Sequence, residues 1–283
     1  MTKIYSPKDI LYPQSKELRT FRRGRVSVAS EIRRQTRTRT NLERFAFRRL
    51  NTVFRRFLNT TLFIYKETGF FAPEAAITRL EEELFPTLLS FYRRAFLSVY
   101  RANEEFYASG RKDEAEALVF GRNEDIERLV NQYYRGKQLV LAGISSRVAN
   151  QIQKEIQRLR AEELTLPQIA RGISEKFSVI LRNRAALIAR TETHNVASYA
   201  NHQYHVNVKE NFGVAMKKRW ISVADGRTRS FHADANGQTV DMDEDFIVGG
   251  MPMAHAGDSR GGARNVINCR CVIAYADEND IVN

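Results

Sequence analysis

From Leu42 the chain carries apolar residues at Phe45, Ala46, Leu50, Val53, Phe54, Phe57, Leu58, Leu62 and Tyr65. Steps of three and four residues place them on one face of a helix. Gly69, with Pro73 just beyond, marks its end. Pro73-Glu74 suits the first turn of a second helix, which continues past Pro86 with a kink or break. Phe91, Tyr92, Ala95, Phe96, Val99 and Tyr100 form its aromatic-aliphatic face, the composition of a core or a helix–helix seam. Gly110 marks a turn. Residues 113–163 read as helical again, broken near Gly121 and at Gly136 or Gly143. Ile144, Val148, Ile152, Ile156 and Leu159 make a regular stripe there, with Arg, Gln and Lys opposite.

Thr165 before Leu166-Pro167-Gln168 is an N-cap with proline in the first turn. A short helix through Ile169 and Ile173 follows. A separate helix is expected over 181–206, with Ala186, Ile188, Ala189, Val196 and Tyr199 as buried positions. After Gly213 the texture changes. Residues 214–223 alternate like a strand, and Asp225-Gly226 is a turn. Asp225 or Thr228 caps a short helix carrying Phe231 and His232. Asn236-Gly237 is a turn, and Gln238–Val240, Phe246–Val248 and Cys269–Tyr275 read as strands. Residues 257–262 read as a mobile surface loop. The expected class is α+β, with long helices before a small mixed module. In chain order this gives a basic arm and helix over 1–70, a helical assembly region over 71–180, and a separately folded C-terminal module over 181–283.

Charge sharpens this picture. The net charge is +12. Residues 1–60 hold 16 Lys and Arg against 4 Asp and Glu, and the remainder holds 29 of each sign. The excess therefore lies wholly in the first fifth of the chain. Arg22, Arg23, Arg33, Arg34, Arg37 and Arg39 are its densest part. Such an arm suits nucleic acid or an acidic protein surface. The bland alternative is a solvated helix face that packs by its aliphatic stems. No aromatic base-stacking platform accompanies the arginines, so any DNA contact is to phosphates. No apolar run of about 18 residues occurs, so no membrane span is expected. No secretory signal is read at the N-terminus.

The stretch from Trp220 to Cys271 carries both cysteines, the single tryptophan and two of the five histidines. Its residues Trp220, Asp225, Arg227, Arg229, His232, Asn268, Cys269, Arg270 and Cys271, with Arg190 and Glu192 upstream, form a combined pattern. That pattern resembles the C-terminal domain of the Mu-F family, the minor head or head morphogenesis proteins of tailed bacteriophages. The resemblance covers about the last third of the chain. It implies a structural minor capsid protein of the virion, associated with the portal vertex inside the head and present in host cytoplasm during assembly. It implies roles in head morphogenesis and in packaging or delivery of DNA. Its partners would be the portal protein, the major capsid protein, and double-stranded DNA through the basic N-terminal region.

Cys269 and Cys271 are two apart, and strand side chains at that spacing share a face. With His232, from the matched motif, they could hold a structural zinc; His255 is an alternative ligand. The competing reading is that the cysteines and Trp220 pack in a core. Arg227, Arg229 and Arg270, with Glu192, Asp225 and Asp258, could form a buried ion-pair network. No phosphate loop, nucleophile elbow or His-Glu-x-x-His is present, so the chain is read as a non-enzyme. A DNA-processing or toxin-like enzyme using His232, Cys269 and Cys271 is the alternative, and a non-catalytic DNA-binding module is a third reading.

Overall fold

The structure is a computed structural model and describes residues 26–108, 123–212, 215–223, 225–276 and 281–282. Arg22, Arg23 and the turns expected at Gly110 and Gly121 lie outside these residues. A short strand β1 (Val26–Ser27) leads into four long helices: α1 (Val28–Thr68), α2 (Pro73–Ala108), α3 (Asn123–Arg160) and α4 (Leu166–Phe212). Then come β2 (Lys217–Ile221), α5 (Ser230–Asp234), β3 (Thr239–Asp241), β4 (Phe246–Val248) and β5 (Met251–Met253). A 3-10 turn over Ser259–Gly261, α6 (Gly262–Val266), β6 (Val272–Ala276) and β7 (Ile281–Val282) complete the described chain. The α+β class holds. Among the described residues no helix is long and apolar enough to cross a membrane.

The helices are longer than their breakers suggest. α1 stops where expected, with Gly69 at φ +64°. α2 passes Pro86 unbroken. Pro86 lies on the exposed side, where water can satisfy the carbonyl that proline leaves without a donor. α3 likewise runs through Gly136 and Gly143. A helical glycine costs about 1 kcal/mol relative to alanine, and the buried row Val130, Leu141, Val148 and Ile152 outweighs it. The two helices expected after Thr165 are one, because Phe177 and Leu181 carry the apolar row of Ile169 and Ile173 onward without a gap. Its start is as expected: Gln168 Oε1 accepts from the Thr165 N–H at 2.9 Å, a capping interaction.

Two compact units result, and neither is a single stretch of chain. One comprises residues 39–97 and 121–196, the other 1–38, 98–120 and 197–283. The first, the helical unit, is built of segments of all four helices. Leu50, Phe54 and Phe57 of α1, Leu84 and Leu88 of α2, Val148 and Ile152 of α3, and Ala185 and Ala189 of α4 are buried in it.

In the second, mixed unit, an antiparallel sheet in the order β3-β2-β6 is the centre. Trp220 pairs with Ile273 in its register. Ile221, Val272 and Ala274 form a buried cluster against which Ile32 of α1 packs. Gln35 Nε2 donates to the Ile273 carbonyl at 2.8 Å, which occupies an acceptor on β6. Asn103 of α2 donates to Asn201 of α4 at 2.9 Å. The mixed unit thus uses helix residues far upstream of 181. β4 and β5 form a separate hairpin.

A candidate metal centre in the mixed unit

The centre begins with two turns. At Asn236-Gly237, Gly237 adopts φ +83° and donates to the Trp220 carbonyl at 2.8 Å. Asn236 Oδ1 accepts from the Ser222 N–H, so the turn pins the end of β2. Near Cys269, Asn268 takes φ +56°, a left-handed conformation that asparagine tolerates better than most residues. This turn, and not strand alternation, presents the cysteines: both precede β6. The expectation that they share a strand face is corrected accordingly.

α5 supplies the third group. Arg229 is its N-cap residue and makes no side-chain cap. Asp225 accepts instead from the Arg227 N–H and Thr228 bonds the Val223 carbonyl, so neither caps α5 as expected. His232 projects inward and is buried, as are Cys269 and Cys271. His232 Nδ1 lies 3.3 Å from Cys271 Sγ and 3.7 Å from Cys269 Sγ. All three donor atoms fall within 4.8 Å of one another. Trp220 stands edge-on to His232 with ring centroids 5.8 Å apart, and Phe246 lies 5.4 Å beyond.

These distances lie close to those of a metal site, and the three residues could supply three of its ligands. Tetrahedral zinc with its usual bond lengths keeps sulfur and nitrogen donors about 3.5–3.8 Å apart. The Cys271 thiol is pushed up strongly, first by its hydrogen bond with Cys269 and then by burial. A cation at the centre would reverse that, because a coordinating thiol is deprotonated outright. His255 is not part of the group. Its Nδ1 lies 3.1 Å from the Ala256 carbonyl, and its ring lies 5.6 Å from His202.

The expected ion-pair network is instead several separate contacts. Arg270 grips Asp225 through both guanidinium nitrogens, one at 2.7 Å, and its hydrogen bonds hold that carboxyl well below its usual range. Arg227 adds a looser 3.7 Å contact. Arg229 donates to the Ile267 carbonyl at 2.6 Å. Asp258 accepts from the Ala254 and Arg260 N–H groups and from the Arg260 guanidinium. Residues 257–262 are therefore ordered around a buried aspartate and are not the free loop expected. In the helical unit, Glu192 accepts from Tyr92 at 2.7 Å and lies 3.8 Å from Lys137, all three buried. Arg190 meets Glu43 at 3.4 Å.

The basic stretch divides in the same way. Arg33 and Arg37 are exposed. Arg34 is held by Glu31 and Asn103 within the mixed unit. Arg39 lies 2.6 Å from His194 Nδ1 within the helical unit. Arg34 and Arg39 thus also make contacts within the protein, whereas no such contact is seen for the exposed Arg33 and Arg37 among the described residues.

One group escaped the sequence reading altogether. Lys218 is fully buried on β2, donates to the Ala254 carbonyl at 2.9 Å, and has its pKa lowered to about 8, mainly by burial. His202 and His205 of α4 lie against Tyr275, His205 stacked at 4.1 Å. The two-residue alternation that buries Trp220 also turns Lys218 inward and could have flagged it.

Residues 146–274 match the family described as Phage Mu protein F like protein. Through that stretch, a little under half of the chain, the chain is similar to that family. The match covers α4, β2, β3, the first part of β6 and the whole His232–Cys269–Cys271 group. The chain is 31% identical over 116 residues to Minor head protein GP7 of Bacillus phage SPP1, which is 40% of this chain and 36% of that protein. It is 32% identical over 148 residues to NAD(+)--arginine ADP-ribosyltransferase EFV of Enterococcus faecalis (strain ATCC 700802 / V583), or 52% of this chain and 30% of that protein. The match therefore spans about a third of each of these relatives. No solved structure matches.

Proposed function

We propose that this Mu F-like chain is a structural minor protein of a tailed-phage head. The observation that carries the reading is the family match over 146–274 together with the likeness to Minor head protein GP7. The long helices support it, since exposed apolar residues such as Leu139 and Val140 remain on a surface suited to assembly contacts. In this reading the protein sits inside the head near the portal vertex, touches the portal protein and the major capsid protein, and meets packaged double-stranded DNA through its basic N-terminal region. It acts in head morphogenesis and in DNA packaging or delivery. Host cytoplasm is its location before assembly. The buried His232, Cys269 and Cys271 are assigned to a structural zinc that ties α5 to the start of β6. The metal would serve stability and not turnover.

A gradient-purified particle made from the genome that encodes this chain tests the reading. Mass spectrometry should find the chain in DNA-filled heads at a few copies each. Its absence from purified particles contradicts the reading.

One observation favours a second reading. The relative EFV is named as an ADP-ribosyltransferase. The shared 148 residues cover under a third of that protein, so its named activity belongs to this chain only if the shared stretch carries it. Incubation of the purified chain with NAD and an arginine analogue decides this. The structural reading expects no nicotinamide release above a protein-free control.

A further inference from the structure

Some exposed arginines on the later helices of the helical unit meet carboxylates: Arg93 pairs with Glu127, Arg128 with Asp125, Arg158 with Glu155 and Arg171 with Glu175. Arg94, Arg135, Arg147 and Arg182 are exposed and form no ion pair among the described residues. α1 gathers such arginines in one run. Between Glu43 and Glu67 it holds no acidic residue, yet it carries Arg44, Arg48, Arg49, Arg55 and Arg56, all exposed. Arg44, Arg48 and Arg55 recur at i, i+4 and i+11 and so share one face. The Arg48-Arg49 doublet repeats seven residues on as Arg55-Arg56. From Arg44 to Arg55 the helix rises about 16 Å. Asn51, Thr52 and Asn59 lie among them, and no large exposed apolar residue does.

Arg94 of α2 joins this row. Its guanidinium lies 4.3 Å from the centroid of the Phe45 ring, and that of Arg49 lies 5.9 Å from the same centroid. A ring face attracts each cation but does not neutralise it. Among the described residues none of these six arginines forms an ion pair. Like charges are therefore gathered on one side of the helical unit, and an anion bound across them would relieve their repulsion.

We infer that this row is a docking surface for the phosphate backbone of duplex DNA. The row is a straight line of cations with polar residues between them, which matches a uniformly charged rod. A protein partner would need a buried aromatic or aliphatic anchor at its centre, and the row has none. Single-stranded nucleic acid would need several exposed rings for stacking along the row; Phe45 is covered by two guanidiniums, and the exposed Phe63 stands two turns beyond Arg55. The buried side of α1 packs in its own unit, so the helix lies across the backbone and does not enter a groove. Binding is then indifferent to sequence. The inference rests on the reading of a head protein that meets DNA, and it adds a contact beyond the arm's Arg22, Arg23, Arg33 and Arg37.

Fluorescence anisotropy of the full chain with a random-sequence duplex, titrated between about 50 and 200 mM salt, tests it. The triple variant Arg44→Gln/Arg48→Gln/Arg55→Gln should bind at least tenfold more weakly. Its log–log salt slope should be shallower by about 3, since each lost phosphate contact removes about 0.9. The matching Arg→Lys triple should keep the wild-type slope, and circular dichroism should show all variants folded alike. If the Gln triple keeps wild-type affinity and slope while an Arg22/Arg23/Arg33/Arg37→Gln variant loses both, the row is not the contact and the arm is. If the wild-type chain fails to bind duplex at any salt, the row and the DNA-contact reading fall together.

Discussion

At the residue scale, three positions carry measurable weight. The Tyr92 hydroxyl donates to buried Glu192, and burial with that carboxylate raises the phenol well above its usual pKa. Among the described residues, Tyr92→Phe leaves Glu192 the 3.8 Å contact to Lys137 as its side-chain partner. A buried acceptor stripped of a partner costs about 1–3 kcal/mol. Urea unfolding followed by far-ultraviolet circular dichroism should show that loss. An unchanged midpoint would mean water replaces the hydroxyl.

Cys269→Ser should remove bound zinc, expected near one per chain in the wild type, and lower the stability of the mixed unit. A wild-type chain that is metal-free and equally stable under reducing conditions leaves the packed-core reading standing.

His202 gives a pH dependence. Burial lowers its pKa well below 6.5, with His255, Lys218 and His205 pushing the same way and Asp258 opposing. The unfolded chain binds the proton more readily, so His202 supports folding fully above about pH 6.5 and ceases to as pH falls toward its depressed folded value. The single tryptophan, Trp220, lies in the same unit. Its fluorescence should therefore report an unfolding midpoint that falls below pH 6.5, less steeply in His202→Gln. A midpoint flat down to pH 4.5 would contradict this.

At the element scale, legibility followed periodicity. α1 was readable because one face is apolar and the other charged. The continuity of α4 was not, because Thr191 through Ser198 are buried all round and leave no polar face to mark a period. The glycines of α3 and Pro86 misled for the opposite reason: local propensity yielded to the buried rows on either side of them. The His232–Cys269–Cys271 group was legible in its members but not in its mechanism, since a left-handed turn at Asn268 does what strand alternation was expected to do. The ordering of residues 257–262 was hidden because Asp258 reads as a surface loop residue until its backbone donors are placed.

The two compact units also draw on residues far apart in the chain. A fragment starting at residue 181 lacks Ile32, Gln35 and Asn103, which pack or hydrogen-bond with the mixed unit. It should expose Ile221, Val272 and Ala274 and unfold without a sharp transition. The full chain should give a cooperative Trp220 signal. A sharply cooperative 181–283 fragment would show that the upstream helix segments are dispensable to the unit.

At the scale of the whole molecule, the charge excess and the Mu F-like stretch occupy different parts of the chain. The excess lies before residue 61, whereas the family match begins at 146. In the proposed function the basic helix faces DNA, the helical unit makes the assembly contacts, and the mixed unit is a metal-tied body carried with them. The most direct measurement is a reconstruction of the DNA-filled particle at its portal vertex, computed without imposed icosahedral symmetry. The account predicts density for the long helices inside the head, against the portal, with the arginine row of α1 turned toward the packaged DNA. Density for this chain on the outer surface, or repeated at every capsomer, would contradict it.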